Sequence, residues 1–167
     1  MSVLGLGFQY DCEIKTPDGE IIRFTEHNLL PQVAINHVAG LIRGSGGATP
    51  ISSWYMFLFE GNYVPTSSVT AADLPGVVGE CSAYSDVGRP VWDNVYDGIN
   101  IIDNLANKAV FTMTAAKRIY GAGIISNSTK GGNTGTLLSI ARFGTAKDLD
   151  IGTQFSLAAG ITLVPTA

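Results

Sequence analysis

Ser53-Trp54-Tyr55-Met56-Phe57-Leu58-Phe59-Glu60 decides the fold. Successive side chains of a strand point to opposite faces, so this run carries bulky apolar groups on both of them. Such a strand needs two covers. One is an opposing sheet; the other is expected from a helix at 31–43 or from a partner subunit. Upstream, Pro31 suits a first helical turn, and Leu30, Val33, Ala34, His37, Val38, Leu41 and Ile42 return at helical intervals. Arg43 in the last turn and Gly44 at a left-handed C-cap position close about three turns of amphipathic helix. The Gly-rich stretch from Gly44 to Pro50 reads as a loop within one domain. Further upstream, Phe8, Tyr10 and Cys12 lead into Thr16-Pro17-Asp18-Gly19 and then Ile21-Ile22-Arg23-Phe24-Thr25, a hairpin whose Pro-Asp-Gly pre-sets the turn.

Downstream, Pro65, Pro75 and Pro90 with Gly61, Gly76, Gly79, Gly88 and Gly98 break regular structure. A long ordered loop is expected there, with short strand pieces near Ser82-Ala83-Tyr84. Alternation resumes at Phe111 and Met113, at 119–125, at 137–143, and at Phe155, Leu157, Ala159, Ile161 and Leu163. The loop from Ser126 to Thr136 between these runs is small and polar. The expected fold is mainly β: a single antiparallel β-sandwich or jelly-roll-like domain over 1–167, with one short α-helix at about 31–43 and a long excursion at about 63–108.

Composition agrees with a β-rich chain. Of 167 residues, 46% are hydrophobic and only 14% charged, and Gly alone supplies 20. A chain of this length can bury roughly 70% of its unfolded surface. The net charge of -4, with ten scattered basic residues, offers no cationic surface to a phosphate backbone, so no nucleic-acid partner is expected. The longest large-apolar run is six residues, against about 20 for a membrane-spanning helix, so no membrane partner is expected either. No basic residue precedes Lys15, which is unlike a secretory signal and points to residence in a cytoplasm. Cys12 and Cys81 are too few for a disulfide framework and are read as reduced and buried.

Tests for chemistry find none. His27 and His37 are ten apart, without ligand spacing, and His37 reads as a packed histidine. Gly79-Glu80-Cys81-Ser82 matches no nucleophile turn. Thr129-Lys130-Gly131-Gly132-Asn133-Thr134-Gly135-Thr136 has its lysine before the glycines and a strand after them, the reverse of a phosphate loop. Asp86, Asp93, Asp97 and Asp103 lack calcium-loop spacing and read as a solvated acidic stretch; an enzyme using Asp93 and Asp97 is the least favoured reading. The Asn127-Ser128-Thr129 sequon reads as accidental. No catalytic residue, cofactor or metal is expected.

Several segments together resemble small virion proteins of tailed bacteriophages. They are Asn28-Leu29-Leu30, the run from Trp54 to Thr66, Phe111-Thr112 with Ala115-Ala116-Lys117-Arg118-Ile119-Tyr120-Gly121, Leu138-Ser139-Ile140-Ala141-Arg142-Phe143 and Ala159-Gly160-Ile161-Thr162-Leu163-Val164. The resemblance spans most of 28–164 and lies in sequence texture rather than in a catalytic motif. It implies a capsid cement or decoration protein: non-enzymatic, made in the host bacterial cytoplasm, and seated on the capsid surface of the virion. The implied partners are the major capsid protein, whose neighbouring subunits it clamps, and further copies of itself as a dimer or trimer. The 63–108 excursion exceeds what a minimal sandwich needs, which suits a contact arm.

Aromatic and arginine side chains dominate interface hot spots. Trp92, Tyr96, Arg89 and Tyr84 are therefore the expected protein-interface anchors, with Trp92 equally readable as a cover for the core. The alternative reading is a tail or head-fibre component that holds a host glycan or receptor through Tyr63 and Tyr84.

Overall fold

The Pro17-Asp18-Gly19 turn forms as its chemistry requires, with Gly19 at φ +94° and its N–H donating to Thr16 O at 3.0 Å. It joins β1 (Gln9–Lys15) to β2 (Ile21–His27) in antiparallel register, Lys15 opposite Ile21 and Gln9 opposite His27. The structure, a computed structural model, describes residues 6–44 and 47–163. Residues 1–5 of the apolar start, 45–46 of the Gly-rich loop and Val164 of the last apolar segment lie outside the described residues.

Helix α1 (Gln32–Arg43) begins one residue after Pro31, which serves as its N-cap, and ends on Gly44 at φ +60°. Just before it, Leu29 N–H and C=O pair with the C=O and N–H of Ile140, fixing the helix against one sheet. That sheet has the order β3 (Tyr55–Phe59), β7 (Lys117–Ile125), β8 (Leu137–Leu149). The other has the order β2-β1-β9-β5-β4, with β9 spanning Gln154–Thr162, β5 Ile101–Asp103 and β4 Val95–Tyr96; β6 (Ala109–Thr112) also pairs with β9. All strand pairs are antiparallel, and the two sheets enclose one core as a β-sandwich.

Both faces of β3 are buried. Met56 and Leu58 enter the main core with Tyr10, Phe111, Ile119, Phe155 and Leu157. Phe57 and Phe59 enter a second cluster with Val69, Ala71, Leu74 and Val78. The second cover is thus neither mainly the helix, which adds only Val33, nor a partner. It is residues 69–78 of the excursion, wound as a 3₁₀ turn (Ala71–Asp73) and one π-helical turn (Leu74–Val78). Thr70 and Asp73 form a reciprocal cap at its start. Much of 63–80 is therefore core lid, because Phe57 and Phe59 would otherwise face water at about 1.5–3 kcal/mol each.

Strand β9 has β1 along one edge and two short strands along the other, β6 at 154–157 and β5 at 160–162. Between those two, side chains complete the ladder. Ala159 N–H donates to Asn104 Oδ1 at 2.7 Å, Asn104 Nδ2 donates to Leu157 O at 3.3 Å, and Trp92 Nε1 donates to Ala159 O at 2.9 Å. Buried backbone groups need partners, and here an amide and an indole supply them.

Candidate protein-interaction surface

Asp97-Gly98-Ile99-Asn100 turns the chain between β4 and β5. Asp97 Oδ1 accepts the backbone N–H groups of Ile99, Asn100 and Ile101 at 2.8, 2.8 and 2.9 Å. Gly98 takes φ +81°, a value side chains resist. The Tyr96 hydroxyl donates to Ile99 O at 2.8 Å, bracing the tip from outside. At the base, Trp92 and Asn104 fasten both legs to β9 through the bonds described above, and Asp93 Oδ2 accepts from Asn107 Nδ2 at 2.8 Å. The hairpin is held at tip and base alike.

What it presents is apolar. Val95 is 57% exposed, Tyr96 54% and Ile99 80%, with Leu105 and Ile101 beside them. Exposed apolar groups on a pre-ordered support cost little entropy to dock. The backbone N–H of Ile101, followed by that of Ile99, holds the Asp97 carboxyl below the usual carboxylate range. A depressed folded value means the stabilisation is present above the unfolded carboxylate range and is lost as pH falls through the folded value. In Asp97→Ala, the amides of Ile99, Asn100 and Ile101 are expected to exchange hydrogen faster at neutral pH while amides of β1 keep their protection. Acidification of the wild type below pH ~4 is expected to lower the protection of the three amides relative to their intrinsic exchange rate at the same pH, while that of β1 holds. Unchanged protection at the three amides in the variant would mean that the turn orders itself without the carboxylate.

The four residues expected as interface anchors separate. Tyr96 is on the surface, in the hairpin. Tyr84, Arg89 and Trp92, also expected as anchors, are buried within the chain's own fold, which for Trp92 fits its other expected use as a cover for the core. Trp92 packs edge-on to Phe8 at 5.6 Å between ring centroids. Tyr84 packs edge-on to Phe111 at 5.0 Å, beneath Lys130 Nζ at 4.3 Å from its ring. Arg89 forms a bidentate pair with Glu80, Nε to Oε1 at 2.8 Å and Nη2 to Oε2 at 2.6 Å, with both side chains fully buried. Of the two tyrosines named for the glycan reading, Tyr84 is buried and Tyr63 half-buried.

The remaining candidates are placed as follows. Burial raises both thiols above their ordinary value, Cys81 to about 11. His37 packs edge-on to Trp54 at 6.0 Å. Lys130 of the glycine-rich loop donates to Tyr84 O at 2.9 Å, turning that loop inward. Among the described residues no three His, Cys, Asp or Glu side chains gather as a metal site, and no helix is long and apolar enough to cross a membrane.

Sequence reasoning missed the hairpin itself, although Asp97-Gly98 between Val95-Tyr96 and Ile101-Ile102 is a turn signal flanked by strand formers. It also missed Asn104, whose role depends on strands distant in sequence. No protein-family model matches the chain, and no curated protein matches it.

Proposed function

We propose that this chain is a non-enzymatic structural protein of a phage virion, which binds the outside of the capsid and clamps neighbouring subunits of the major capsid protein through the β4–β5 hairpin. The observation that carries the reading is the hairpin: a braced turn that holds Ile99, Tyr96 and Val95 out in solvent. Aromatic and large aliphatic groups on a rigid support are what a contact arm needs, and repeated copies on a symmetric shell turn weak contacts into firm attachment. The sequence resemblance supplies the capsid as the assembly. The excursion then has two jobs, residues 69–78 as core lid and residues 93–105 as arm.

The test is the copy number of this chain in purified virus particles, measured by quantitative mass spectrometry against the major capsid protein. Hundreds of copies over the head are expected, and Ile99→Asp is expected to abolish attachment while leaving the melting temperature unchanged. Absence from particles, or a handful of copies at the tail, overturns the capsid role. Attachment unaffected by Ile99→Asp overturns the hairpin as its arm.

A further inference from the structure

Helix α1 is apolar around most of its circumference. Its polar positions, Gln32, Asn36, Gly40 and Arg43, form one narrow stripe, and its only full charge is at the last residue. A helix of this kind is ordinarily enclosed on all sides. Here the described residues enclose one side: Ala34 is buried in the main core, Val33 packs on the second cluster, and His37 meets Trp54. A second apolar stripe, Ile35, Val38, Ala39 and Ile42, forms one wall of a groove of about 510 Å³ whose other wall is Leu6, Leu29 and Leu30. Leu6 is 44% exposed, Ile35 46% and Ile42 81%.

We propose that residues 1–5, Met-Ser-Val-Leu-Gly, close this groove as a strap, with Val3 and Leu4 against Ile35, Val38 and Ile42. The first support is where the segment joins the described chain. Leu6 itself lines the groove, whereas Gly44, Gly47 and Leu163, which border the other stretches outside the described residues, do not. The second is reach. From Ile35 to Ile42 the wall is roughly 10 Å of helix at about 1.5 Å per residue, and five extended residues span up to about 17 Å. The third is chemistry. The wall of the groove on α1 has no charge, and neither has any side chain of residues 1–5, of which Met1, Val3 and Leu4 are large and apolar. The tether is also firm: Phe8 N–H donates to Asn28 Oδ1 at 2.6 Å, and Asn28 N–H donates to Phe8 O at 3.2 Å. A segment held at the groove meets it at an effective concentration of about millimolar, which a second copy at micromolar protein does not match. The strap is separate from the β4–β5 hairpin, and each can fail without the other.

Disulfide trapping in the full chain is the test. Cys12 and Cys81 are buried, so Leu4→Cys with Ile42→Cys supplies the reactive pair. Mild oxidation is expected to link the two within one chain, seen as faster migration without reductant at the mass of a monomer. Leu4→Cys with Asn36→Cys, whose second thiol sits on the polar stripe, is the control and is expected to link far more slowly. A second measurement needs no new thiol. Val3→Asp with Leu4→Asp is expected to raise the fluorescence of an added apolar dye several-fold over the wild type and to speed hydrogen exchange along α1, because buried charge is costly and the strap lifts. The circular dichroism of the β-sandwich should stay unchanged. Equal linking in the two cysteine pairs overturns the strap, as does equal dye binding by the wild type and the aspartate variant. Links formed only between chains also overturn it and assign the groove to a second copy.

Discussion

Arg89→Met is expected to destabilise the fold by about 3–5 kcal/mol, seen as a fall of roughly 2–4 °C in Tm for each kcal/mol. The cause is what stays behind. The Glu80 side chain is fully buried and, among the described residues, its carboxylate is held by Arg89 alone, so the variant leaves an uncompensated charge in the interior. Arg89 also donates from Nη1 to Asn127 O and from Nη2 to Gly132 O, each at 2.8 Å, and its own N–H donates to Ser128 O at 2.8 Å. One guanidinium thereby ties the lid-side chain at 80–89 to the β7–β8 loop. A buried pair is weak evidence for stability in itself, since an apolar replacement of both partners is often neutral. The double variant Arg89→Met with Glu80→Leu is accordingly expected to recover part of the loss. It should not recover all of it, because Asn127 O and Gly132 O lose their donor. Chemical denaturation of the three proteins measures this. A loss below about 1 kcal/mol in Arg89→Met would show that Glu80 escapes burial once its partner is gone.

Gly121→Ala is expected to cost about 3 kcal/mol, at the upper end of over-packing. A Cβ at that position would lie 2.2 Å from Ala141 O and 2.3 Å from Phe59 Cζ. The first obstacle is backbone of the adjacent strand, fixed by the β7–β8 ladder, and cannot step aside as a flexible side chain does. The second is the ring of Phe59, which sits directly opposite Gly121 in the β3–β7 pair. Gly123 repeats the arrangement beneath Phe57. The missing side chains of β7 are where the two phenyl rings of β3 lie. Gly76→Ala is the control: nothing lies within 4 Å of its added Cβ and its φ is not positive, so stability is expected to change by less than about 1 kcal/mol. Thermal melts of both variants decide the matter, and equal melting would mean that the sheet shifts to admit the methyl group.

What the sequence made legible is local. The β1–β2 hairpin follows from Pro17-Asp18-Gly19, the end of α1 from Gly44, and the burial of β3 from apolar residues at consecutive positions. What stayed hidden depends on partners far along the chain. Val69, Ala71, Leu74 and Val78 have neither helical nor strand periodicity, and Pro75-Gly76 between them reads as a break, so their role as lid shows only once β3 is in place. Strands β4 and β5 are two and three residues long, below the length at which alternation carries information. Arg89, Trp92 and Tyr84 share one difficulty. The chemistry that favours these residue types at interfaces, a large apolar body with a hydrogen-bonding end, equally suits them to fasten distant segments inside a fold. Only the positions of Glu80, Asn127 and Ala159 in space distinguish the two uses.

Strand β9 is the place where the β1–β2 hairpin, the arm and β6 meet, so three separately made parts of one sheet wait for residues 154–162. During synthesis that sheet cannot close until β9 has left the ribosome, after every strand that precedes it. Pairing across such separations is slow, on the scale of milliseconds to seconds. In that interval the apolar faces of β1 and β3 are open to other nascent copies, and the yield of native protein becomes a race between β9 arriving and neighbouring chains colliding.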